Sequence, residues 1–192
     1  MSNLAWIFVS TLLVSNFTLV MFLGLCSFFG VTAKIETAWR LGLANTFVLL
    51  LTAVGAWVLN TYVLTRTPFL RTIAFIVVIG SGVQITEMAV KKYFPVLFRQ
   101  LGIYLPLITT NCAILGLALF QTSRHYNLAE ALVFAVGAGL GLTLALSLMA
   151  SIRERIEVAE VPAIARRMGL VLVIASCLSM AFMGFAGMGS AP

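Results

Sequence analysis

Six long apolar runs, separated by short polar clusters, constrain this chain more than any other feature of its sequence. They cover about 4–30, 41–64, 70–90, 101–121, 128–150 and 169–188. A helix needs roughly 20 apolar residues to cross about 30 Å of hydrocarbon, and several of the runs reach that length. Only 9% of the 192 residues are charged, against about 25% in soluble domains. Because helices satisfy their own backbone hydrogen bonds in lipid, the sequence predicts an all-α membrane protein with six transmembrane helices.

The basic residues are divided unequally between the two sets of loops. Those that follow runs one, three and five are Lys34, Arg40, Lys91, Lys92, Arg99, Arg153, Arg155, Arg166 and Arg167. The loops after runs two and four hold only Arg66, Arg71 and Arg124. Cytoplasmic loops carry the excess of Lys and Arg. The richer face is therefore predicted to be cytoplasmic, and both chain termini are predicted to face outward.

Two cysteines occupy matching positions in the first and fourth runs. Cys26 is followed four residues later by Gly30, and Cys112 is followed at the same spacing by Gly116. The offset between the cysteines also carries the start of run two onto the start of run five. Each half of the chain holds three runs, so the second half must enter the membrane upside down. This pattern predicts inverted repeats, which place sites at the midplane on interrupted helices.

The repeats are predicted to lie at about 1–93 and 94–192, within a single transmembrane domain. Helices one and four are expected to be broken near the cysteines. Run one is longer than a single straight span and has Gly24 just before Cys26. Run four contains Pro106, which removes a backbone donor and disfavours a straight helix.

The two cysteines are predicted to lie at the same depth. If a short helix leads from Cys26 to Lys34, its eight residues rise about 12 Å. Cys112 precedes Arg124 by twelve residues, which rise about 18 Å. Half of the hydrocarbon layer is about 15 Å, so each cysteine approaches the midplane from its own side.

Thiolates at matched depth suggest a metal site. Tetrahedral iron and zinc sites take thiolate ligands, and two thiolates complete only half of a four-thiolate site. Cys26 and Cys112 are the candidate ligands, and the rest would come from another copy or a related chain. A disulfide between them and a simple packing role are the alternatives. Cys177 is interpreted as a small apolar filler. Residues expected to donate to or surround the sulfurs are Gly24, Leu25, Thr109, Thr110 and Asn111.

No pattern typical of a soluble enzyme is present. The one histidine, His125, lies in an outward loop, and the sequence has neither a glycine-rich phosphate loop nor a pair of carboxylates within a span. Inverted repeats with interrupted helices are also transporter architecture, so a small transporter is a second hypothesis. A non-redox scaffold subunit is a third.

Six segments give the chain a resemblance to a known family. They are Phe22-Leu-Gly-Leu-Cys26, Gln84-x-Thr-Glu-Met88, Leu101-Gly-Ile-x-Leu-Pro-Leu-Ile-Thr-Thr-Asn-Cys-Ala113, Arg153-Glu-Arg-Ile156, Val158-Ala-x-Val-Pro162 and Ala181-Phe-Met-Gly-Phe185. At these residues the chain resembles the RnfA/NqrE family of integral-membrane subunits. That family belongs to the Rnf ferredoxin:NAD oxidoreductase and to the Na⁺-translocating NADH:quinone reductase. The Arg-Glu-Arg and Thr-Glu-Met segments favour the Rnf side.

The resemblance implies a role in electron transfer. It implies a bacterial inner-membrane subunit without a substrate site, in a complex that couples redox flow to Na⁺ or H⁺ movement. It also implies a [2Fe-2S] cluster at the membrane centre, held by Cys26 and Cys112 together with a homologous, oppositely oriented RnfE-like subunit. The other partners implied are RnfB, RnfC, RnfD and RnfG, and the resemblance implies that nucleotide and flavin sites belong to other subunits of the complex.

Overall fold

The computed structural model describes residues 2–14, 16–32, 34–61, 71–93, 111–158 and 168–186, and these form seven α-helices. The helices are α1 (Ser2–Val9, continued in π geometry over Ser10–Val14), α2 (Leu25–Val31), α3 (Ile35–Leu59), α4 (Arg71–Tyr93), α5 (Cys112–Ser123), α6 (Leu128–Val158) and α7 (Met168–Ala186). The described residues contain no strand. The all-α prediction is confirmed for this part of the chain.

Several helices carry the apolar character expected in lipid. Ile35–Leu59 and Leu128–Ile156 are long and apolar enough to cross a bilayer. Shorter apolar helices cover Leu4–Val14, Ile76–Ile85, Cys112–Ser123 and Gly169–Gly184. The exposed apolar side chains of α4 and α7 are Ile73, Ile76, Val77, Val78, Ile85, Met88, Leu172, Val173, Met180 and Met183. Each of these helices overlaps a predicted apolar run, although Ile35–Leu59 begins six residues before run two and Leu128–Ile156 ends six residues after run five.

The core lies along α6, whose closest neighbour is α3. A Cβ on Gly42 of α3 would lie 2.5 Å from Thr143 Oγ1 of α6, and a Cβ on Gly139 of α6 would lie 2.6 Å from Thr46 Cγ2 of α3. Each threonine hydroxyl donates to the glycine carbonyl four residues earlier in its own helix, at 2.8 Å. Each helix therefore offers a glycine recess to the other helix's threonine. This close approach is typical of small residues at membrane helix interfaces.

A non-helical stretch, 16–24, lies between α1 and α2, and its residues 16–19 are buried whereas Phe22 is exposed. Asn16 is fully buried, and its Nδ2 donates to the Gly141 carbonyl of α6 at 2.9 Å. Its Oδ1 accepts from the Thr18 amide at 3.1 Å. The Ser179 hydroxyl of α7 donates to the Leu19 carbonyl at 2.7 Å. Non-helical backbone is tolerated inside a membrane protein where side chains such as these form hydrogen bonds with its N–H and C=O groups.

The contacts give the relative directions of the helices. In α3 and α6, later residues of one helix meet earlier residues of the other, so the two run antiparallel. Contacts of α5 with α3 advance together, from Asn111–Asn45 to Gln121–Ala53, so these two run parallel. The predicted interruption at Pro106 lies outside the described residues. The six-span count, the inverted repeat and the breaks in helices one and four stay predictions.

Candidate metal centre

Cys26 is the second residue of α2, a helix of seven residues. Its N-cap is Gly24, which has φ +85° and provides no side-chain cap. A positive φ of this size is easily adopted only by glycine. The preceding turn also contains Phe22 at φ 56°. The Cys26 side chain is exposed and its thiol is free.

Cys112 is the first residue of α5, a helix of twelve residues. Asn111 caps this helix because its Oδ1 accepts from the Ala113 amide at 3.1 Å. Cys112 is exposed and also has a free thiol.

The two helix starts meet through a hydrogen bond to sulfur. The Gly24 amide donates to Cys112 Sγ at 2.9 Å, across 88 residues of sequence. A Cβ on Gly24 would lie 3.2 Å from Asn111 Oδ1, so a side chain there would push on the cap of the other helix. Cys26 is two residues from Gly24, so its Cα lies within about 7 Å of the Gly24 Cα.

The other residues expected near the sulfurs have different outcomes. Leu25 is half-buried as the first residue of α2. Thr109 and Thr110 lie outside the described residues. Cys177 is exposed on α7, so it does not fill space inside this chain. The structure therefore brings together Gly24, Asn111 and Cys112, and Cys26 lies two residues after Gly24 in the chain.

The donor set matches half of a four-thiolate site. All three cysteines have free thiols, so Cys26 and Cys112 are not joined as a disulfide. Within the described residues, no group of three or more His, Cys, Asp or Glu side chains could hold a metal ion. Two exposed thiols, with a backbone amide donating to one sulfur, fit a [2Fe-2S] cluster completed by another chain. The ligand roles themselves stay predictions.

Comparison with known proteins decides the family. A family model described as "Rnf-Nqr subunit, membrane protein" matches residues 4–189. A Pseudomonas paraeruginosa protein, named as one of the subunits of an ion-translocating oxidoreductase complex, is 54% identical over 191 residues, which cover 98% of each chain. Proteins of the same name from Yersinia pestis and Escherichia coli are 50% and 49% identical over 190 residues, again with 98% of each chain covered. The chain belongs to the Rnf-Nqr family.

The resemblance predicted from the six sequence segments is thus confirmed. The match extends over nearly the whole chain, so it includes both cysteine segments of this Rnf-Nqr protein. The family is one of membrane proteins, in agreement with the apolar helices.

Sequence reasoning missed Asn45, a buried amide near this site. Asn45 of α3 is fully buried, and Asn111 Nδ2 lies 3.5 Å from its Oδ1, a long contact. Its own Nδ2 has no hydrogen-bond partner in the structure. An asparagine within an apolar run is an available signal for such a position, because a polar group in a span needs a partner.

Sequence reasoning also missed the role of Arg153 in this Rnf-Nqr chain, where the charge pattern indicates only a basic loop residue. The structure places Arg153 on α6 beside the end of α2, where it donates to Thr32 Oγ1 at 2.8 Å. The ends of runs one and five therefore lie at the same end of the bundle, as the alternation of charged loops predicts.

Proposed function

We propose that this chain is the membrane electron-transfer subunit of a redox-driven, ion-translocating oxidoreductase complex of the Rnf type. Cys26 and Cys112 supply two of the four thiolates of a [2Fe-2S] cluster. A homologous, RnfE-like subunit of opposite orientation supplies the other two. The chain carries no substrate site of its own and works with further subunits, RnfB, RnfC, RnfD and RnfG.

The main support is the hydrogen bond from the Gly24 amide to Cys112 Sγ, at 2.9 Å. It joins the helix start that carries Cys112 to the stretch that leads into Cys26. The two segments are far apart in sequence, and neither thiol is used in a disulfide. Relatives at about 50% identity that are named as subunits of an ion-translocating oxidoreductase complex support the wider assignment.

Each residue around the sulfurs has a distinct task in this proposal. The Gly24 amide donates to Cys112 Sγ. Such hydrogen bonds to sulfur are among the factors that set the reduction potential of an iron–sulfur centre. The Asn111 cap holds the first turn of α5 and thereby fixes the direction of the Cys112 side chain. When bound, a [2Fe-2S] cluster supplies a one-electron relay.

The exposure of both thiols supports a shared site. A complete cluster held by one chain would need four ligands, whereas the described residues contain no group of three or more His, Cys, Asp or Glu side chains that could hold a metal. A partner of opposite orientation would complete the site about a pseudo-two-fold axis in the membrane plane. A relay at that depth divides a hydrocarbon layer of about 30 Å into two shorter steps. In this proposal the protein lies in the bacterial inner membrane, with both termini on the periplasmic side and redox flow coupled to Na⁺ or H⁺.

The test uses the purified complex with three single substitutions. Cys26→Ala and Cys112→Ala are each expected to remove the [2Fe-2S] EPR signal and two iron atoms per complex (the content of one cluster). Cys177→Ala is the matched control, because it removes an equally exposed free thiol on α7, and it is expected to leave both measurements unchanged. Wild-type iron content in the Cys26 and Cys112 variants would reject the proposal. A complex that is assembled and active without either cysteine would instead favour a scaffold role.

A further inference from the structure

The last turn of α2 is held by α6. Arg153 Nη1 donates to the Thr32 hydroxyl at 2.8 Å and to the Phe29 carbonyl at 3.4 Å. Thr32, the C-cap of α2, is fully buried, and its hydroxyl donates to the Phe28 carbonyl at 2.8 Å. The guanidinium group, the threonine hydroxyl and two helix carbonyls therefore form one connected set of hydrogen bonds.

The contact of Arg153 with α2 provides a hydrogen-bond donor for a carbonyl at the end of the helix. The last four carbonyls of a helix have no partner within it, and the Phe29 carbonyl is one of these in α2. A cation near the carbonyl end is also favoured by the helix dipole. Among the carboxylates that the structure describes, none pairs with Arg153; the ion pair in this part of the chain joins Glu36 and Arg40. The charge of Arg153 is thus directed at the end of α2.

Within α2, the fully buried Phe28 side chain packs into the core, but the two ends of the helix depend on other elements. Its seven residues rise only about 10 Å, and helices this short are marginal without tertiary contacts. Its N-cap, Gly24, has no side chain with which to bind the first turn. By contrast, α6 has 31 residues and forms the centre of the core. A contact from α6 to α2 therefore transfers the rigidity of the core to the helix that bears Cys26.

We propose that Arg153 is a positioning residue for Cys26, acting from the opposite end of α2. This inference rests on the proposed function, since it makes the guanidinium group a determinant of how the Cys26 thiolate is presented to the shared cluster. Arg153 both fastens the last turn of α2 and places a positive charge about one short helix away from the sulfur. Loss of the hydrogen bonds from Arg153 makes α2 less rigid, and loss of its positive charge disfavours addition of an electron to the cluster.

The experiment uses the intact purified complex with three variants. Arg153→Met removes the positive charge and the N–H donors of the guanidinium group but keeps a long side chain. Arg153→Lys keeps the charge and loses the fork, and it serves as the second variant if the methionine variant does not assemble. Arg155→Met is the matched control, because Arg155 lies two residues further along α6 and is exposed. The two measurements are amide hydrogen exchange by mass spectrometry and an EPR-monitored redox titration.

Exchange over 25–32 is expected to be at least threefold faster in Arg153→Met, with exchange over 112–123 unchanged. At the wild-type midpoint potential, the ratio of oxidised to reduced cluster is expected to rise at least threefold, which is about 28 mV for a one-electron couple. Arg153→Lys is expected to speed exchange over 25–32 while keeping that ratio within twofold of wild type. Arg155→Met is expected to match wild type in both measurements.

Three results for Arg153→Met would overturn the proposal. The first is unchanged hydrogen exchange over 25–32, and the second is an equal acceleration of exchange over 25–32 and 112–123. The third is faster exchange over 25–32 with an unchanged midpoint potential and EPR line shape of the cluster. The last would leave Arg153 a purely structural residue. A wild-type complex without any [2Fe-2S] signal would reject the proposed function separately. In that case exchange over 25–32 alone would decide whether Arg153 positions the helix that carries Cys26.

Discussion

The two helix starts that carry the cysteines are built differently. The α5 start is capped within its own segment, by Asn111 Oδ1 and the Ala113 amide, and the helix continues for twelve residues. The α2 start has a glycine N-cap in the left-handed region and no side-chain cap, and the helix has only seven residues. Contacts with other elements hold the two ends of α2. Arg153 of α6 binds the last turn, and Cys112 of α5 accepts from the Gly24 amide at the start.

This difference shows that matched positions in the sequence need not have matched local structure. The helix start that carries Cys112 is capped by its near neighbour Asn111, although Cys112 Sγ also accepts from the distant Gly24 amide. Cys26 depends on contacts made across more than 80 residues, as with Gly24 and Cys112 or Thr32 and Arg153. We therefore expect substitutions around α2 to act over long range and those around α5 to act locally.

The largest effect is expected for Gly24→Ala. The left-handed conformation costs an alanine about 1–2 kcal/mol, and its Cβ would lie 3.2 Å from Asn111 Oδ1. We expect a loss of about 2 kcal/mol, or about 4–8 °C in the unfolding midpoint of a chain of this size. Thermal unfolding of the purified complex measures it. Gly55→Ala is the control, because a Cβ there meets no atom within 4 Å, and a Gly24 variant as stable as this control would contradict the expectation.

A somewhat smaller effect is expected between Arg153 and Thr32. Hydrogen bonds to charged groups contribute about 1.5 kcal/mol or more. A double-mutant cycle with Arg153→Met and Thr32→Val should therefore give a coupling free energy near that value. The same cycle with Arg155→Met should be additive within about 0.5 kcal/mol. Additive behaviour of the Arg153 pair would mean that the long-range support of α2 is weaker than the geometry indicates.

Removal of the α5 cap is expected to cost less and to act locally. Asn111→Ala should lower stability by about 1 kcal/mol, the usual effect of losing an N-cap side chain. Asn111→Ser should recover most of this loss, because a serine hydroxyl can accept from the same amide. Hydrogen exchange over 112–123 should rise in the alanine variant, while that over 25–32 stays near wild type. Equal changes in both segments would show that α5 is not self-sufficient.

The smallest effect is expected for the surface ion pair Glu36–Arg40. Its side chains are 75% and 42% exposed, and exposed pairs contribute little because water and salt screen them. Glu36→Gln should change stability by less than about 0.5 kcal/mol. This variant sets the baseline of the thermal measurements above. A loss of stability of about 1 kcal/mol or more would mean that the Glu36–Arg40 pair contributes more than an ordinary exposed ion pair.

The sequence predicts well whatever depends on composition and spacing. The apolar runs predict helices because lipid leaves the backbone no other partner, and each described helix lies largely within one of these runs. Run one differs from the others because it contains two described helices, α1 and α2. The pair Cys26 and Cys112 is visible from its matched glycines alone. The Asn111 cap could also have been identified, since asparagine directly before an apolar helix is a common N-cap.

Contacts between distant segments are not predictable in this way. Nothing in the residues around Thr32 indicates that its partner is Arg153, because that contact depends on how α2 and α6 pack. The same holds for Asn16 with Gly141 and for Gly24 with Cys112. Local sequence determines which groups need partners, whereas the packing of the helices determines which partners they find.

The glycine recesses between α3 and α6 have a mechanical consequence. Each threonine lies where a methyl group on the opposing glycine would overlap it. A displacement of one helix along the other, by even a single residue, would bring both threonines out of their recesses together and against bulkier neighbours. We therefore expect α3 and α6 to move as one unit, so that any rearrangement of the chain would have to be made by the elements packed around them.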